Sequence, residues 1–331
     1  MMDRIESSYV FALTNAGSEK ALKLEVESMK TGWRPGYQRR GFLTFKAADE
    51  NKPFSLTTLN ATVPACARRL CLSMGKATSL EDAVKLLENP PVLHHIRLTG
   101  GKLERVSSSG EPRHGQKTGT VVELNPDEFW AGLHLHGPLV SPDPGGHSVL
   151  VLPEEAPSRA WLKLEEAVRF FGLSFSPRDL VVELGCAPGG VILALLNRGV
   201  SAIGVDPAKL APVVMTAAAP SVQEAPPGKP WVFHCRKPAA LVSKRDLGTN
   251  VTWFMSDMNQ SPAVALKECA RFIKMCPAIR SALITLKLTD LSQVVEKPLW
   301  FQELKNMGFK TIRLQQLSVH NREFALLALG R

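Results

Sequence analysis

The sequence predicts an α/β protein, in which a doubly wound, largely parallel sheet follows a smaller α+β region. The chain has 331 residues, which is too long for one ordinary domain. From Ser158 onward, strand-like and helical segments alternate regularly, as they do in a doubly wound sheet. Residues 1–77 instead follow the order strand, helix, strand, helix, strand, which is typical of a small ferredoxin-like fold.

The composition is that of a soluble globular protein, with 44% hydrophobic and 21% charged residues. No uncharged apolar run approaches the ~18 residues of a membrane span. The first residues, MMDRIESSYVF, contain acidic side chains and no apolar segment, so we do not expect a signal peptide. The 6 cysteines form no CxxC pair, which argues against a zinc ribbon and against a disulfide framework. We therefore expect a cytoplasmic protein without a membrane partner or a bound metal.

The elements before the regular alternation are predicted from period and turn residues. Residues 1–77 are predicted to hold strands at 8–14, 41–47 and 67–77 and helices at 17–30 and 55–63. A second region, 78–150, is predicted to hold a helix at 80–90, strands at 92–100, 119–125 and 147–154, and a mobile loop at 102–118. The third region, 151–331, carries the doubly wound sheet.

A basic stretch between Lys30 and Lys46 is the clearest sign of a nucleic-acid partner. The whole chain has a formal net charge of +9, and this stretch contains no acidic residue. Trp33 and Tyr37 are interleaved with its basic side chains, a pattern that suits RNA. The alternative is a solvated loop that leads into a strand.

The C-terminal half begins with the helical segment SRAWLKLEEAVRFFG, whose apolar stripe is Leu164, Ala167, Val168 and Phe171. Strands are then predicted at 180–185, 202–206, 231–235, 251–257 and 281–288. The chain closes with two strands around a turn near Asn321. A closing antiparallel hairpin is unusual for a dinucleotide-binding fold and is the usual ending of a Rossmann-like methyltransferase.

The segment VVELGCAPGG runs from a strand through a glycine-rich turn into a helix. Gly185, Gly189 and Gly190 permit a tight turn and close backbone approach of a ligand. The middle glycine of the dinucleotide fingerprint is absent, and Pro188 has no N–H to offer a diphosphate, which disfavours a dinucleotide oxidoreductase. The alternative is a turn that merely connects the two elements.

Two acidic residues at strand ends suggest which ligand this turn binds. Glu183 could face an ammonium group, and Asp206 could accept hydrogen bonds from both hydroxyls of a ribose. Adenosine joined to a charged amino acid describes S-adenosylmethionine. We therefore predict an S-adenosylmethionine site.

Four polar residues lie beside apolar segments, where a doubly wound sheet would bring them near its ligand-binding edge. They are Lys163, Asp257, Lys287 and Glu323. Each has an ordinary alternative as a surface lysine, a turn former or a surface ion pair. Their joint placement favours a catalytic site. Asp257 and Asn259 have no third partner that would make a metal site, and His320 is interpreted as a turn residue.

These residue types suit methyl transfer to a ribose 2′-hydroxyl, a weak nucleophile that needs a base beside it. A lysine is such a base only if its pKa is depressed, and burial or a second ammonium lowers it. We predict that Lys287 accepts the proton and that Asp257 orients the side chain of Lys287. Lys163 and Glu323 are predicted to position the ribose.

The motifs APSRAWLKLEEA, GCAPGG, SDMNQSP, TLKL and HNREFALLALG resemble the Lys-Asp-Lys-Glu 2′-O-ribose methyltransferases, and within them the RlmM family. The resemblance is close across 155–331 and weaker before it. It implies an FtsJ-like catalytic domain that methylates a cytidine of large-subunit ribosomal RNA, preceded by a ferredoxin-like and a THUMP region that bind RNA. It assigns the proton acceptor to Lys287 and the tetrad to the four residues above. The cofactor contacts that it implies are Ala187, Pro188, Gly189, Gly190, Asp206 and Asp257.

The sequence departs from that family in four places. Ala160 replaces a usual serine contact, and the region before residue 150 is short for a full THUMP domain. The segment WVFHCRKPA lacks the acid expected near the adenine, and LTDLSQ replaces a basic run after Lys287. A non-catalytic RNA-binding protein on a degenerate methyltransferase fold therefore stays open, as does a ribose methyltransferase with another RNA target. We expect a monomer or a weak dimer.

Overall fold

The protein is represented by a computed structural model that describes residues 5–137, 140–248 and 250–331. These residues form two compact units. The N-terminal unit consists of the described residues up to Ser148 together with Arg169–Gly172 and Gln315–Asn321. The C-terminal unit consists of Val149–Val168, Leu173–Leu314 and Arg322–Arg331.

The N-terminal unit is built on an 8-stranded sheet, and a pair of 2-residue strands forms a separate ribbon. The strands are β1 (Glu6–Ser7), β2 (Tyr9–Thr14), β3 (Arg34–Arg39), β4 (Phe42–Lys46), β5 (Phe54–Ser55), β6 (Ala67–Ala77), β7 (Val92–Thr99), β8 (Lys102–Ser108), β9 (Lys117–Asn125) and β10 (Glu128–Leu135). The helices are α1 (Glu19–Ser28) and α2 (Leu80–Lys85), with 3₁₀ turns at Leu59–Thr62 and Pro144–Gly146.

The strand order of the large sheet is β3-β4-β2-β6-β10-β9-β7-β8. Its core packs Phe11, Phe42, Ile96 and Val122, all fully buried. Burial of such a side chain contributes about 1.5–3 kcal/mol. Strands from both sides of residue 77 belong to this one sheet. The division of the region into a ferredoxin-like and a THUMP-like domain at that residue stays a prediction.

Two local predictions for this unit are wrong. The segment 102–118 is not one mobile loop, because β8 and the start of β9 lie within it. Edge strands are polar, so the pattern of β8 resembled that of a loop. The strand predicted at 147–154 is absent, and the side chains of Val149 and Val151 are 75% and 81% exposed. Strand β10, which the pattern analysis missed, pairs with β6 and β9 instead.

The elements from residue 160 onward alternate as predicted. The helices are α3 (Ala160–Phe171), α4 (Gly190–Asn197), α5 (Pro212–Met215), α6 (Lys244–Leu247), α7 (Pro262–Met275) and α8 (Lys297–Asn306), with 3₁₀ turns at Ala239–Leu241 and Leu291–Glu296. The strands are β11 (Leu180–Leu184), β12 (Ser201–Val205), β13 (Val232–Cys235), β14 (Trp253–Ser256), β15 (Ser281–Lys287), β16 (Thr311–Gln315) and β17 (Glu323–Leu329).

These strands form a 7-stranded sheet in the order β13-β12-β11-β14-β15-β17-β16. The first 5 strands of this order run parallel, and β17 pairs antiparallel with β15. The predicted Rossmann-like sheet with its closing hairpin is therefore confirmed. The strand order reverses between β11 and β14, and ligands of such sheets bind beyond the carboxyl ends of the strands at that point.

All 6 cysteines are buried, and none of them forms a disulfide. They are Cys66, Cys71, Cys186, Cys235, Cys269 and Cys276. Burial raises the pKa of Cys71 to about 11 and that of Cys269 to about 12. Within the described residues, no helix is long and apolar enough to cross a membrane.

Candidate active site

The turn after β11 closes on neighbouring backbone so tightly that it favours glycine. Gly185 has a φ of 76°, and a Cβ atom there would lie 3.1 Å from the backbone nitrogen of Met258. Gly189, with a φ of 111°, precedes the first turn of α4. The Ala187–Pro188 peptide bond between them is cis. The turn leads directly into α4, whose first backbone N–H groups have no partner within the helix.

Gly190 is the first residue of α4, and a larger residue there would collide with the start of α3. A Cβ atom would clash with the hydroxyl of Ser158 and would lie 2.8 Å from the backbone nitrogen of Trp161. The predicted cofactor turn and the helix that carries Lys163 are thus packed together through this glycine.

Asp206, which follows β12, binds the glycine turn. Its carboxylate accepts hydrogen bonds from the backbone N–H of Ala187 at 3.2 Å and from that of Ala208 at 2.8 Å. Its side chain is partly exposed, so oxygen lone pairs remain for a ligand. This placement is compatible with the predicted ribose contact.

Glu183 lies at the carboxyl end of β11 and is 2% exposed. Its Oε2 atom is buried without a hydrogen-bond partner among the described residues. Burial raises the pKa of this carboxyl well above its ordinary value, and the negative charges of Asp257 and Asp206 raise it further. A cationic ligand would relieve both effects, so the turn fits a group that carries an ammonium and a sulfonium, as S-adenosylmethionine does.

The four predicted catalytic residues come together in the C-terminal unit. The Nζ atom of Lys163 lies 3.0 Å from Oδ2 of Asp257 and 3.0 Å from Oε2 of Glu323. The Nζ atom of Lys287 lies 3.3 Å from Oδ1 of Asp257 and 3.8 Å from Oε1 of Glu323. Each carboxylate therefore faces both amines. The exposed fractions of the four side chains lie between 14% and 24%, so a substrate can still reach them.

The backbone explains this convergence. Lys287 and Glu323 are opposite each other in the antiparallel pairing of β15 with β17, and side chains opposite each other across such a pair are neighbours. Asp257 follows β14, the parallel neighbour of β15, and its carbonyl oxygen lies 3.4 Å from Nζ of Lys287.

The expectation that burial and a second ammonium depress a lysine pKa at this site is wrong for Lys163. Burial lowers the pKa of Lys163, but the charges of Asp257 and Glu323 and their hydrogen bonds outweigh burial, and the net pKa is raised. Lys163 is therefore the permanent cation of this cluster. Its ion pairs with Asp257 and Glu323 hold both carboxylates in place.

Two polar groups beside the site were missed. The indole nitrogen of Trp161 and the hydroxyl of Ser256 are buried without hydrogen-bond partners among the described residues. Trp161 lies two residues before Lys163, and Ser256 lies one residue before Asp257. This closeness in sequence to predicted site residues is the only signal by which they could have been predicted. His320, in contrast, accepts a hydrogen bond through Nδ1 from the backbone N–H of Leu317 at 3.3 Å. That contact agrees with its interpretation as a turn residue.

Within the described part of the chain, no three His, Cys, Asp or Glu residues are placed to hold a metal ion. The side chains that converge at this site are two amines and two carboxylates.

Known proteins match the part of the chain that builds this site. The FtsJ-like methyltransferase family matches residues 156–292. The ribosomal RNA large subunit methyltransferase M of Azotobacter vinelandii is 32% identical over 173 residues, which are 48% of this chain and 44% of that protein. The protein of the same name from Saccharophagus degradans is 29% identical over 190 residues, which are 54% of this chain and 50% of that protein. The chain thus spans about half the length of these relatives.

Among solved structures, a fibrillarin/Nop5p complex covers 52% of this chain and 82% of its own, with a TM-score of 0.35 and 16% identity. A likeness this distant carries no argument about function.

Proposed function

We propose that the chain methylates a ribose 2′-hydroxyl of ribosomal RNA, and the match of residues 156–292 to the FtsJ-like methyltransferase family supports this proposal. The observation that carries the proposal is the convergence of Lys163, Asp257, Lys287 and Glu323 beside the glycine turn. The names of the curated relatives support a large-subunit ribosomal RNA as substrate. The expected nucleotide is a cytidine, although the proposed mechanism does not depend on the base.

The residues that would hold S-adenosylmethionine are those of the glycine turn and its two acidic neighbours. Backbone from Gly185 to Gly190 would contact the ligand, Asp206 would bind the ribose hydroxyls, and Glu183 would face the ammonium group. The cofactor supplies an electrophilic methyl group on a sulfonium. Asp257, whose carboxylate also faces both lysines, adds negative charge at the same edge of the sheet.

We assign the proton transfer to Lys287, which in its unprotonated form would accept the 2′-hydroxyl proton at Nζ. Proton transfer by a positioned base contributes about 10²–10⁴ to a rate. Asp257 orients Lys287 through the 3.3 Å contact. Lys163 remains charged, holds Asp257 and Glu323 in place, and positions the ribose together with Glu323.

The RNA partner is proposed to bind through the basic N-terminal region, which the family resemblance describes as ferredoxin-like and THUMP-like. The formal charge of +9 supports a polyanionic partner. Ribosomal RNA as the substrate implies action in the cytoplasm. A monomer or a weak dimer is sufficient, because all four catalytic side chains come from one chain.

The proposal is tested by incubating the protein with tritiated S-adenosylmethionine and ribosomal RNA from cells that lack its gene. We expect label in large-subunit RNA, and we expect the labelled nucleotide to resist alkaline cleavage, since a 2′-O-methyl group blocks it. Label on a base would contradict the assigned chemistry. Cofactor and RNA binding without any transfer would favour the non-catalytic RNA-binding alternative.

A further inference from the structure

Residues of the basic stretch between Lys30 and Lys46 join two groups of basic side chains in the N-terminal unit, and the inner group, Arg39 and Lys76, is engaged within the sheet. The guanidinium of Arg39 lies 5.1 Å from the ring centre of Tyr37 and 3.9 Å from Oε2 of Glu128. Lys76 lies 5.0 Å from the ring centre of Tyr37 and 4.8 Å from that of Trp130, and its Nζ lies 3.4 Å from Oε1 of Glu128. One carboxylate and two stacked rings thus already satisfy these cations.

The outer group surrounds a basic trough between α1 and β3. This cavity has a volume of about 750 Å³ and is lined by Lys20, Lys23, Lys30 and Arg34, and Glu27 is the one acidic residue among the described residues that line it. Lys20, Lys30 and Arg34 are exposed. Within the described part of the chain none of these three has a carboxylate within ion-pair distance. The trough therefore has uncompensated positive charge.

Local structure explains why these cations converge. Lys20 and Lys23 are three residues apart in α1 and share one face of the helix. Lys30 and Gly32 have φ values of 53° and 73°, so the chain turns sharply into β3. Because β3 is the edge strand of the large sheet, Arg34 at its start stands beside the helix without another strand to cover it.

Trp33 connects the trough to a second cavity. Trp33 and Ala48 line both cavities, and the second one, of about 420 Å³, is also lined by Phe54. The ring of Trp33 is partly exposed and packs edge-on against Phe54, with ring centres 5.1 Å apart. A volume of this size falls within the ~300–1,000 Å³ range of small-ligand sites.

We propose that this surface binds an unpaired segment of the RNA substrate, with phosphates in the basic trough and one base against Trp33 in the second cavity. Unpaired bases can leave the stack and lie on aromatic side chains, whereas the bases of a duplex are held inside it. The inference rests on the proposed function, because it takes RNA as the substrate.

The test measures binding of the full-length protein to a short fluorescein-labelled oligouridine by fluorescence anisotropy at several salt concentrations. The double variant Lys30→Glu, Arg34→Glu should weaken binding by about tenfold or more, and each lost phosphate contact should reduce the salt slope by about 0.7. The control, Lys102→Glu with Arg113→Glu, changes the net charge equally at exposed positions outside both cavities.

A second variant, Trp33→Leu, keeps an apolar side chain against Phe54 but removes the flat ring. It should weaken oligouridine binding severalfold while leaving the salt slope unchanged, since stacking involves no counterion release. Equal loss of binding in the trough variant and in its charge control would overturn the inference. So would competition by polyglutamate, or by duplex RNA, as effective as that by unlabelled oligouridine.

Measurements of methyl transfer distinguish a failure of this inference from a failure of the proposed function. In the Lys30→Glu, Arg34→Glu variant, the KM for ribosomal RNA should rise while kcat at saturating RNA stays close to that of the wild type. An active wild type whose KM is unchanged in this variant would sink the inference and leave the proposed function intact. A wild type that binds oligouridine through the trough but transfers no methyl group would sink only the proposed function.

Discussion

Lys163 and Lys287 face the same two carboxylates, yet their roles differ. The two carboxylates raise the pKa of Lys163 and keep it charged despite its burial. Lys287 is the amine to which the proposed mechanism gives the proton. In that mechanism both lysines are needed, because one holds the carboxylates in place and the other accepts the proton.

Replacing Lys287 by alanine tests the assigned base. We expect Lys287→Ala to lower kcat by about 10²–10⁴, because proton transfer loses its positioned acceptor. The dissociation constant for S-adenosylmethionine, measured by calorimetry, should change little. The matched control is Lys305→Ala, on an exposed position of α8. Loss of cofactor affinity together with activity would remove Lys287 from its assigned role.

Glu183 predicts a pH dependence of cofactor binding. Burial and nearby acids raise the pKa of this carboxyl, so below that raised pKa the free protein holds a proton that an ammonium ligand would displace. The affinity for S-adenosylmethionine should therefore increase as pH rises through that raised pKa. Calorimetry in buffers of different ionisation enthalpy should detect proton release. Glu183→Gln should bind more weakly and should show neither effect, and an unaltered pH profile in this variant would exclude the ammonium contact.

The sequence predicted that these four side chains converge because three of them lie at or near strand ends, where a parallel sheet collects its ligand contacts. It did not predict the direction of the pKa shift of Lys163. That direction is the balance of burial against two ion pairs of 3.0 Å, and such distances are set by packing rather than by residue type.

At the scale of elements, strands β7, β9 and β10 bury polar groups that make the N-terminal unit sensitive to acid. His94 on β7 is fully buried, and both its ring nitrogens lack hydrogen-bond partners among the described residues. Burial, and then the charge of Arg69, lowers the pKa of His94 to about 3. The pKa of His134, on β10, is also lowered, again mainly by burial.

Substitution of His94 should reduce this sensitivity. The unfolded chain binds a proton at His94 below about pH 6.5, whereas the folded protein does so only near pH 3. Between these values, the free energy of unfolding therefore falls by up to about 1.4 kcal/mol for each unit by which the pH is lowered. His94→Leu should remove this contribution. Guanidinium unfolding at pH 7 and pH 5 measures the difference, with the exposed His114→Leu as control. Identical pH slopes in the two variants would contradict the assignment.

The close packing at the start of α4 predicts that a side chain at position 190 disturbs cofactor binding. A methyl group at position 190 would meet Ser158 and Trp161, so Gly190→Ala should displace the glycine turn or α3. We expect at least a tenfold loss of S-adenosylmethionine affinity, about 1.4 kcal/mol. The control is Gly110→Ala, since Gly110 has open space around its Cα. Unchanged cofactor binding would show that the turn adapts to a side chain.

Helices and strands were predictable where the hydrophobic pattern and the length of the segment indicated the same element, as in β11, β12, β14 and β15. They were not predictable where burial was decided by distant partners. The apolar segment with Val149 and Val151 has the pattern of a strand but pairs with no strand among the described residues, whereas polar β8 pairs at the edge of the large sheet. Strand pairing is a long-range property that local pattern does not contain.

For the whole molecule, the formal charge of +9 predicts different salt dependences for the two ligands. The KM for ribosomal RNA should rise steeply between low and physiological salt, because RNA binding releases counterions. The dissociation constant for S-adenosylmethionine should change less than threefold, since a small ligand of low net charge releases few ions. A parallel change of both constants would argue against an electrostatic RNA surface.

The family resemblance and the Rossmann-like methyltransferase fold, both predicted from motifs, are confirmed for the C-terminal part of the chain. The N-terminal region was harder to predict, since its eight-stranded sheet joins segments that the sequence pattern had assigned to two domains. Its basic residues were recognised as a group. Only the folded arrangement distinguishes Arg39, paired with Glu128, from Lys30 and Arg34 in the trough.

The burial of every cysteine makes this chain a convenient subject for thiol-directed labelling. Maleimide reagents attack exposed thiolates, and the wild-type surface has none to offer in the native state. A single Lys52→Cys substitution, at the rim of the smaller cavity, would therefore accept one fluorophore or nitroxide without prior removal of native thiols. Such a probe would report directly, in real time, on whether an oligonucleotide arrives there.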